Sequence, residues 1–211
     1  MNDKKKSVLE QLFPNYGSEK FLSEYWPDKY LFDEGDLDRF DWLKLCPELS
    51  SINKYFAHLK KIQRKVNTLK NDTDGWFMSD PQQAEQLFKS SAAYFVESSS
   101  EHYRPGLKFA FDALRQQLGL ILKGYSQTNL YFGGATLGLD WHYDKNANFA
   151  IQLVGEKRWK VAYNYSIVNP LQNYDMERDK NSRPDIHPKL KTEPEEYEEI
   201  ILKPGSTLFM P

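Results

Sequence analysis

The sequence predicts an α+β fold, in which a mainly helical N-terminal flank over residues 1–125 precedes a β-rich part over residues 126–211. In the first part, apolar side chains recur at helical spacing, with breaks at proline and glycine. From Asn129 onward the pattern changes to short alternating runs of β-branched and aromatic residues, separated by glycine and proline. With 211 residues, of which 40% are hydrophobic, the chain is long enough to bury a full core.

The predicted helices and strands follow from these patterns. Ser18 can cap a first helix, and Pro27 would end it. Three more helices are expected over 53–69, 81–95 and 107–118, the last ended by Gly119. Strands are expected over 129–132, 137–143, 149–154, 159–163, 199–202 and 207–210.

Residues 164–198 separate two of the predicted strands. They are polar, contain prolines and are long for a loop. We expect either a functional lid or an insertion with short structure of its own, at the border of the site.

The composition argues against several classes of function. The chain has 28 Lys and Arg, 30 Asp and Glu and a formal net charge of -2, so no net field favours nucleic acid or a membrane surface. No apolar stretch resembles a signal peptide or reaches the ~18 residues of a membrane helix. The single cysteine, Cys46, cannot form a disulfide within the chain. We therefore expect a cytoplasmic protein with neither nucleic acid nor a membrane as partner.

His142 and Asp144 are the first candidates for a metal site. Residues two apart on a strand point to the same face, so this imidazole and this carboxylate can bind one metal ion. Two His and one carboxylate on one face leave open positions on a non-haem Fe(II), enough for a bidentate cosubstrate and O2. The pair supplies two of those three ligands.

The next strand and hairpin offer polar groups to the same cavity. Asn148 alternates with Phe149, so the amide can face the cavity while the aromatic ring faces the core. After a turn at Gly155, Lys157 shares a face with Trp159 and can present a cation to a carboxylate of the cosubstrate.

Each of these residues also has a simpler interpretation. A single His is more often a hydrogen-bonded core residue than a ligand, a hairpin lysine is usually solvated, and an asparagine often caps a strand end or holds a turn. We interpret Trp141, Phe149 and Trp159 as packing residues. The order of His, Asp, Asn, Gly and Lys along the chain favours the metal site.

Together these residues resemble the JmjC-type, cupin-like hydroxylases. Residues 142–159 contain the order His-Tyr-Asp, Asn-Phe, Gln, Gly and Lys-Arg-Trp, and residues 129–163 are similar to the asparaginyl hydroxylase branch without a gap. Residues 202–211 resemble the family's Pro-Gly-Asp-hydrophobic-Pro segment. Residues 21–31 look like the opening segment of bacterial ribosomal-protein hydroxylases in the same superfamily.

The resemblance implies a double-stranded β-helix (a cupin or jelly roll), with Fe(II) as the metal, 2-oxoglutarate as the cosubstrate, and O2. It implies His142 and Asp144 as iron ligands and Lys157 as the partner of the distal 2-oxoglutarate carboxylate. It also suggests three further cosubstrate contacts, Asn148, Tyr131 and Thr136.

The implied activity is that of a dioxygenase that hydroxylates a side chain of a peptide or protein. His-x-Asp is found more often than His-x-Glu in the hydroxylase members. The alternatives are an N-methyl demethylase of the same superfamily, which would release formaldehyde, and a noncatalytic cupin-like binding module. The apolar helix faces either pair two chains in a homodimer or pack on the β-rich part.

The sequence ends at Pro211, a few residues before the place of the family's second iron-binding His. We therefore expect a truncated piece of a longer protein, with a β-helix incomplete at its C-terminus, or an enzyme that has lost its third ligand. His58, His102 and His187 do not follow the expected segment, so none of them is assigned as a ligand.

Overall fold

The computed structural model describes residues 6–70, 75–99, 104–120, 127–134, 138–165, 167, 170–175 and 193–211. Its α-helices are α1 (Val8–Leu12), α2 (Gly17–Lys20), α3 (Ile52–Ile62), α4 (Pro81–Lys89) and α5 (Pro105–Gln117). A π-helical turn (Phe21–Tyr25) continues α2, and 3-10 turns cover Leu37–Arg39, Asp41–Leu45 and Pro47–Ser50. The strands are β1 (Leu31–Asp33), β2 (Val66–Lys70), β3 (Trp76–Ser79), β4 (Ala93–Ser99), β5 (Thr128–Gly133), β6 (His142–Tyr143), β7 (Asn148–Ile151), β8 (Lys157–Val161), β9 (Tyr174–Asp175), β10 (Glu198–Leu202) and β11 (Thr207–Met210).

The chain packs into two compact units. The first contains Met1–Leu12 and Asp38–Gly138, and the second contains Phe13–Leu37 and Leu139–Pro211. These bounds differ from the predicted division near residue 125, because β5 pairs with the earlier strand β4 and β1 pairs with the late strand β11. Among the described residues, no helix has the length and apolar character that crossing a lipid bilayer requires.

The first unit is a four-stranded antiparallel sheet in the order β3-β2-β4-β5. Two amphipathic helices, α3 and α4, cover one of its faces. Phe56 and Leu59, which lie one helical turn apart on α3, pack with Ala84 of α4 against Val66 and Phe95 of the sheet. Burial of this apolar stripe stabilises both helices, which are too short to be stable alone.

Two of the predicted helices are wrong in their second halves. The helix expected over 53–69 ends at Ile62, because Gln63 adopts a left-handed conformation with φ of 51°. The helix expected over 81–95 ends at Lys89. Val66–Lys70 and Ala93–Ser99 instead form β2 and β4, which pair with each other. Pairing between distant segments thus overrides the local periodicity, and the N-terminal part contains paired strands in addition to its helices.

A buried ion pair connects the start of α5 to β4. The Arg104 Nη2 lies 2.9 Å from Glu97 Oε2, and both side chains are 2% exposed. The Arg104 Nε lies 3.1 Å from Glu48 Oε1, and burial together with the Glu97 charge raises the pKa of Tyr55. Removing either charge would leave the other buried with a weaker counter-charge, since Arg104 would keep Glu48 and Glu97 would keep Arg64 at 3.5 Å.

The described residues of the second unit form three small antiparallel sheets, ordered β1-β11-β7, β10-β8 and β6-β9. The first two share one apolar core. Ile200, Leu202 and Leu208 are buried at its centre, and Ala150 and Trp159 pack against them. β10 and β11 confirm the predicted strands over 199–202 and 207–210 within one residue.

An aromatic cluster covers the other face of the sheet that contains β11. The ring centres of Phe149 and Phe209 are 4.9 Å apart, and those of Phe209 and Phe21 are 5.2 Å apart. Phe13 stacks on Phe21 with ring centres 4.7 Å apart. The helix predicted to be capped by Ser18 instead begins at Gly17, with Tyr16 at the N-cap position, so Ser18 is not its cap. Its π-helical continuation carries Phe21 into this cluster.

Replacement of Phe209 by alanine should destabilise the second unit by about 3–5 kcal/mol, because Phe209 is 0% exposed and the change leaves a cavity. Ile201→Ala is the control, since Ile201 is 45% exposed, and its effect should stay within about 0.5 kcal/mol. Urea denaturation of both variants measures the difference. Equal effects would contradict the packing described for β11.

Candidate metal and cosubstrate site

His142 opens the short strand β6, and its ring is oriented by the backbone. The Nδ1 atom lies 2.7 Å from the Asp140 carbonyl oxygen. A carbonyl oxygen only accepts, so Nδ1 carries the proton in this contact. In the neutral imidazole the lone pair is then on Nε2, as in histidines that bind metals while the other ring nitrogen donates to a carbonyl.

Asp144 follows the end of β6 and is held by Asn148. The Asn148 Nδ2 donates to Asp144 Oδ2 at 2.8 Å, and both side chains are partly buried. Asn148 begins β7 and is paired with Met210 of β11. The carboxylate is therefore tied to the central sheet of the second unit, and the structure brings two of the predicted site residues into direct contact.

The opposite side of β6 is packed with aromatic rings. Tyr143 stacks on Tyr174 of β9 with ring centres 5.3 Å apart, and Trp141 meets Tyr197 edge to face at 5.7 Å. The ladder between β6 and β9 pairs His142 with Asp175. These contacts hold the backbone that carries His142 and Asp144.

Sequence reasoning missed Tyr174, Asp175 and Tyr197. All three lie in or beside the polar stretch 164–198, which carries no clear periodicity. A two-residue strand such as β9 leaves too little pattern to detect. The available signal for Tyr197 was its position directly before β10, a strand that the sequence predicted.

Lys157 is half-buried on β8, opposite Leu202 of β10. Its Nζ lies over the Trp159 ring, 4.9 Å from the ring centre. Burial lowers the pKa of Lys157 to about 8. A lysine in this environment binds an anion more readily than a solvated one, because the surrounding apolar groups screen the attraction less.

The other two predicted cosubstrate contacts are not among the described residues of the second unit. Tyr131 lies on β5 in the first unit, where it is 46% exposed and its ring lies 6.2 Å from that of Tyr94. Thr136 lies outside the described residues, as do His102 and His187. His58 is on α3 of the first unit.

The donor set of the second unit fits part of an iron site. His142 offers a nitrogen and Asp144 an oxygen, and a second residue orients each of them, as is typical of metal ligands. Within the part of the chain that the structure describes, no group of three His, Cys, Asp or Glu side chains lies close enough to hold a metal ion. The described residues therefore supply at most two protein ligands.

Comparison with known families identifies the C-terminal half of the chain. Residues 107–211 match the family model described as the JmjC domain. This segment belongs to the JmjC family. The JmjC segment contains His142, Asp144, Asn148, Lys157 and Tyr131, all of the predicted site residues that the structure describes.

Two relatives extend the similarity beyond the JmjC segment. The chain is 26% identical over 214 residues to the uncharacterized protein YxbC of Bacillus subtilis (strain 168), and the matched region covers 97% of this chain and 64% of that protein. The X-ray structure of E. coli ycfD matches with a TM-score of 0.55 and 18% identity, over 92% of this chain and 46% of that one. The chain thus spans less than two thirds of the length of either relative. The JmjC match and the likeness to ycfD give a cupin-like fold with antiparallel sheets and some helices.

The titration of Lys157 in the JmjC domain should be visible in the stability of the protein. The folded pKa of about 8 lies below the unfolded value of about 10.4, so unfolding takes up a proton between these two pH values. The free energy of unfolding should therefore increase with pH between pH 8 and pH 10.4. Below pH 8 the buried lysine is charged in the folded protein, so its full desolvation penalty remains. Chemical denaturation across this range measures it, and Lys157→Met should lose this contribution. An identical pH dependence in both proteins would contradict the lowered pKa.

Proposed function

We propose that this chain carries the site of an Fe(II)- and 2-oxoglutarate-dependent oxygenase that hydroxylates a side chain of a peptide or protein. The observation that supports this most directly is the pair of hydrogen bonds that orient His142 and Asp144. An imidazole with its lone pair on Nε2 and a carboxylate held by an amide are two of the three donors of the 2-His-1-carboxylate set that binds a non-haem Fe(II). Membership of the JmjC family agrees with this set.

The proposed roles follow from the chemistry of each side chain. His142 and Asp144 bind the iron, and Asn148 holds the Asp144 carboxylate in one orientation. Lys157 attracts the distal carboxylate of 2-oxoglutarate. When bound, iron with 2-oxoglutarate and O2 supplies the oxidation of a C–H bond, and the protein's part is to hold and orient the reactants.

A double-stranded β-helix is the architecture that we propose for the complete site. In the described ranges, β7 pairs with β11, and β8 pairs with β10. Neither β7 nor β8 is paired with a described strand on its other edge. Strands added at these two edges would extend both sheets around the cosubstrate site that we propose at Asn148 and Lys157. They would also bury edges that otherwise invite aggregation.

The peptide or protein substrate, the homodimer and the cytoplasmic location remain proposals. A net charge of -2 gives no general attraction to nucleic acid. Because the described residues supply at most two ligands, a noncatalytic cupin-like module is the second candidate function. Binding of iron separates it from the first.

Anaerobic titration of the chain with Fe(II) tests the metal site. Asp144→Ala and His142→Ala should each weaken Fe(II) binding by at least about 100-fold, since each removes a ligand. His58→Ala is the control, because His58 lies on α3 in the first unit. Unchanged affinity in both site variants would reject the assignment, and absence of Fe(II) binding by the unaltered chain would favour the binding module. Where turnover occurs, release of formaldehyde would identify a demethylase.

Binding of 2-oxoglutarate should depend on the charge of Lys157. Lys157→Met should weaken binding about 10- to 100-fold at pH 7, the range for a hydrogen bond to a charged group. In the unaltered chain, affinity should fall as pH rises above the lysine pKa of about 8, by up to about tenfold per unit, because only the cation pairs with the carboxylate. Lys157→Arg should remove this pH dependence. Calorimetry from pH 6.5 to 9.5 would contradict the role if all three proteins bound equally.

A further inference from the structure

The indole nitrogen of Trp159 is a buried donor without a described acceptor. Its Nε1 is shielded from solvent, and no described residue accepts its hydrogen. The rest of the ring is fixed, since it packs against the apolar core of Ile200, Leu202 and Leu208. A buried N–H is usually satisfied by protein, water or ligand, so this one is suited to donate to an oxygen of a bound molecule.

Lys157 marks where an anionic acceptor would bind. Lys157 and Trp159 are two residues apart on β8 and share the face that is directed to the core. The Lys157 Nζ lies 4.9 Å from the centre of the Trp159 ring. An anion attracted to this ammonium group would therefore lie beside the indole.

Asn148 presents a third polar group from the facing sheet. It lies two residues before Ala150 on β7, and Ala150 packs against the same core as Trp159. The inner faces of the two sheets thus combine one cation with amide and indole donors. Several converging donors in a mostly apolar wall are typical of a small-molecule site.

We propose that Trp159 Nε1 donates a hydrogen bond to a carboxylate oxygen of the dicarboxylate that Lys157 binds. The inference rests on the proposed function, because it takes 2-oxoglutarate as that dicarboxylate. Trp159 is then a binding residue in addition to a packing residue. Because the indole stays neutral, its contribution should persist at a pH where Lys157 has lost its charge.

Trp159→Phe tests the contact, because phenylalanine keeps an aromatic ring in the core but has no N–H. The chain has 5 Trp, and loss of one indole signal in a nitrogen-proton NMR spectrum assigns Trp159. Titration with 2-oxoglutarate, and separately with succinate, in the presence of Zn²⁺ as a diamagnetic substitute for Fe(II), should move that signal. The variant should bind 2-oxoglutarate about tenfold more weakly, by the same factor at pH 7 and pH 9.5.

Trp42→Phe is a matched control. Trp42 is 4% exposed, its Nε1 likewise has no described acceptor, and it lies in the first unit. Its replacement should leave 2-oxoglutarate binding unchanged, and thermal unfolding of both variants checks that each is folded.

The outcomes separate this inference from the proposed function. Saturable 2-oxoglutarate binding with an unmoved Trp159 signal, or unchanged affinity in Trp159→Phe, would overturn the contact alone and leave water as the acceptor. Failure of the unaltered chain to bind 2-oxoglutarate would overturn both the cosubstrate site and the contact. A shifted signal together with weaker binding in the variant supports the proposal.

Discussion

The strand β11 carries the constraint on which the second unit depends, because it is buried on both faces. Leu208 and Phe209 are each 0% exposed. Leu208 enters the core between the two sheets, and Phe209 enters the aromatic cluster on the other side. The strand also donates and accepts hydrogen bonds on both edges, to β1 and to β7. The strands β1 and β7, which are more than a hundred residues apart in the sequence, thus pair with the same four-residue strand.

The positions of the site residues follow from this arrangement. β7 pairs directly with β11, which fixes Asn148 opposite Met210 and ties it to Asp144. β8 reaches the same core through Trp159, and the alternation along β8 then places Lys157 on the inner face. Polar residues in an otherwise apolar wall cost free energy unless they are satisfied. The lowered pKa of Lys157 and the buried indole N–H of Trp159, which has no described acceptor, are two consequences of that cost.

The sequence predicted the parts of this arrangement that have a local pattern. Strands β10 and β11 follow from short apolar runs on either side of Pro204 and Gly205, and the face shared by Lys157 and Trp159 follows from alternation. The prediction failed at β2 and β4, because the helical spacing of apolar residues continues into both segments. In the fold these segments are stabilised more by pairing with each other in the sheet. The contact of Asp144 with Asn148 depends on the turn between β6 and β7, and the unit bounds depend on distant pairings. Neither leaves a periodic signal in the sequence.

The strand β6, which carries His142, gains little rigidity from its own hydrogen bonds. β6 has two residues, too few for ladder pairing to hold its position against thermal motion. Its rigidity has to come from side chains on the opposite face, where Tyr174 stacks on Tyr143 and Tyr197 contacts Trp141. Tyr174 and Tyr197 lie on either side of residues 176–192, so both flanks of the polar stretch are packed behind His142. Displacement of Tyr174 or Tyr197 should therefore also change the orientation of His142 and Asp144. Such a change would matter for metal binding, since a metal site tolerates only small displacements.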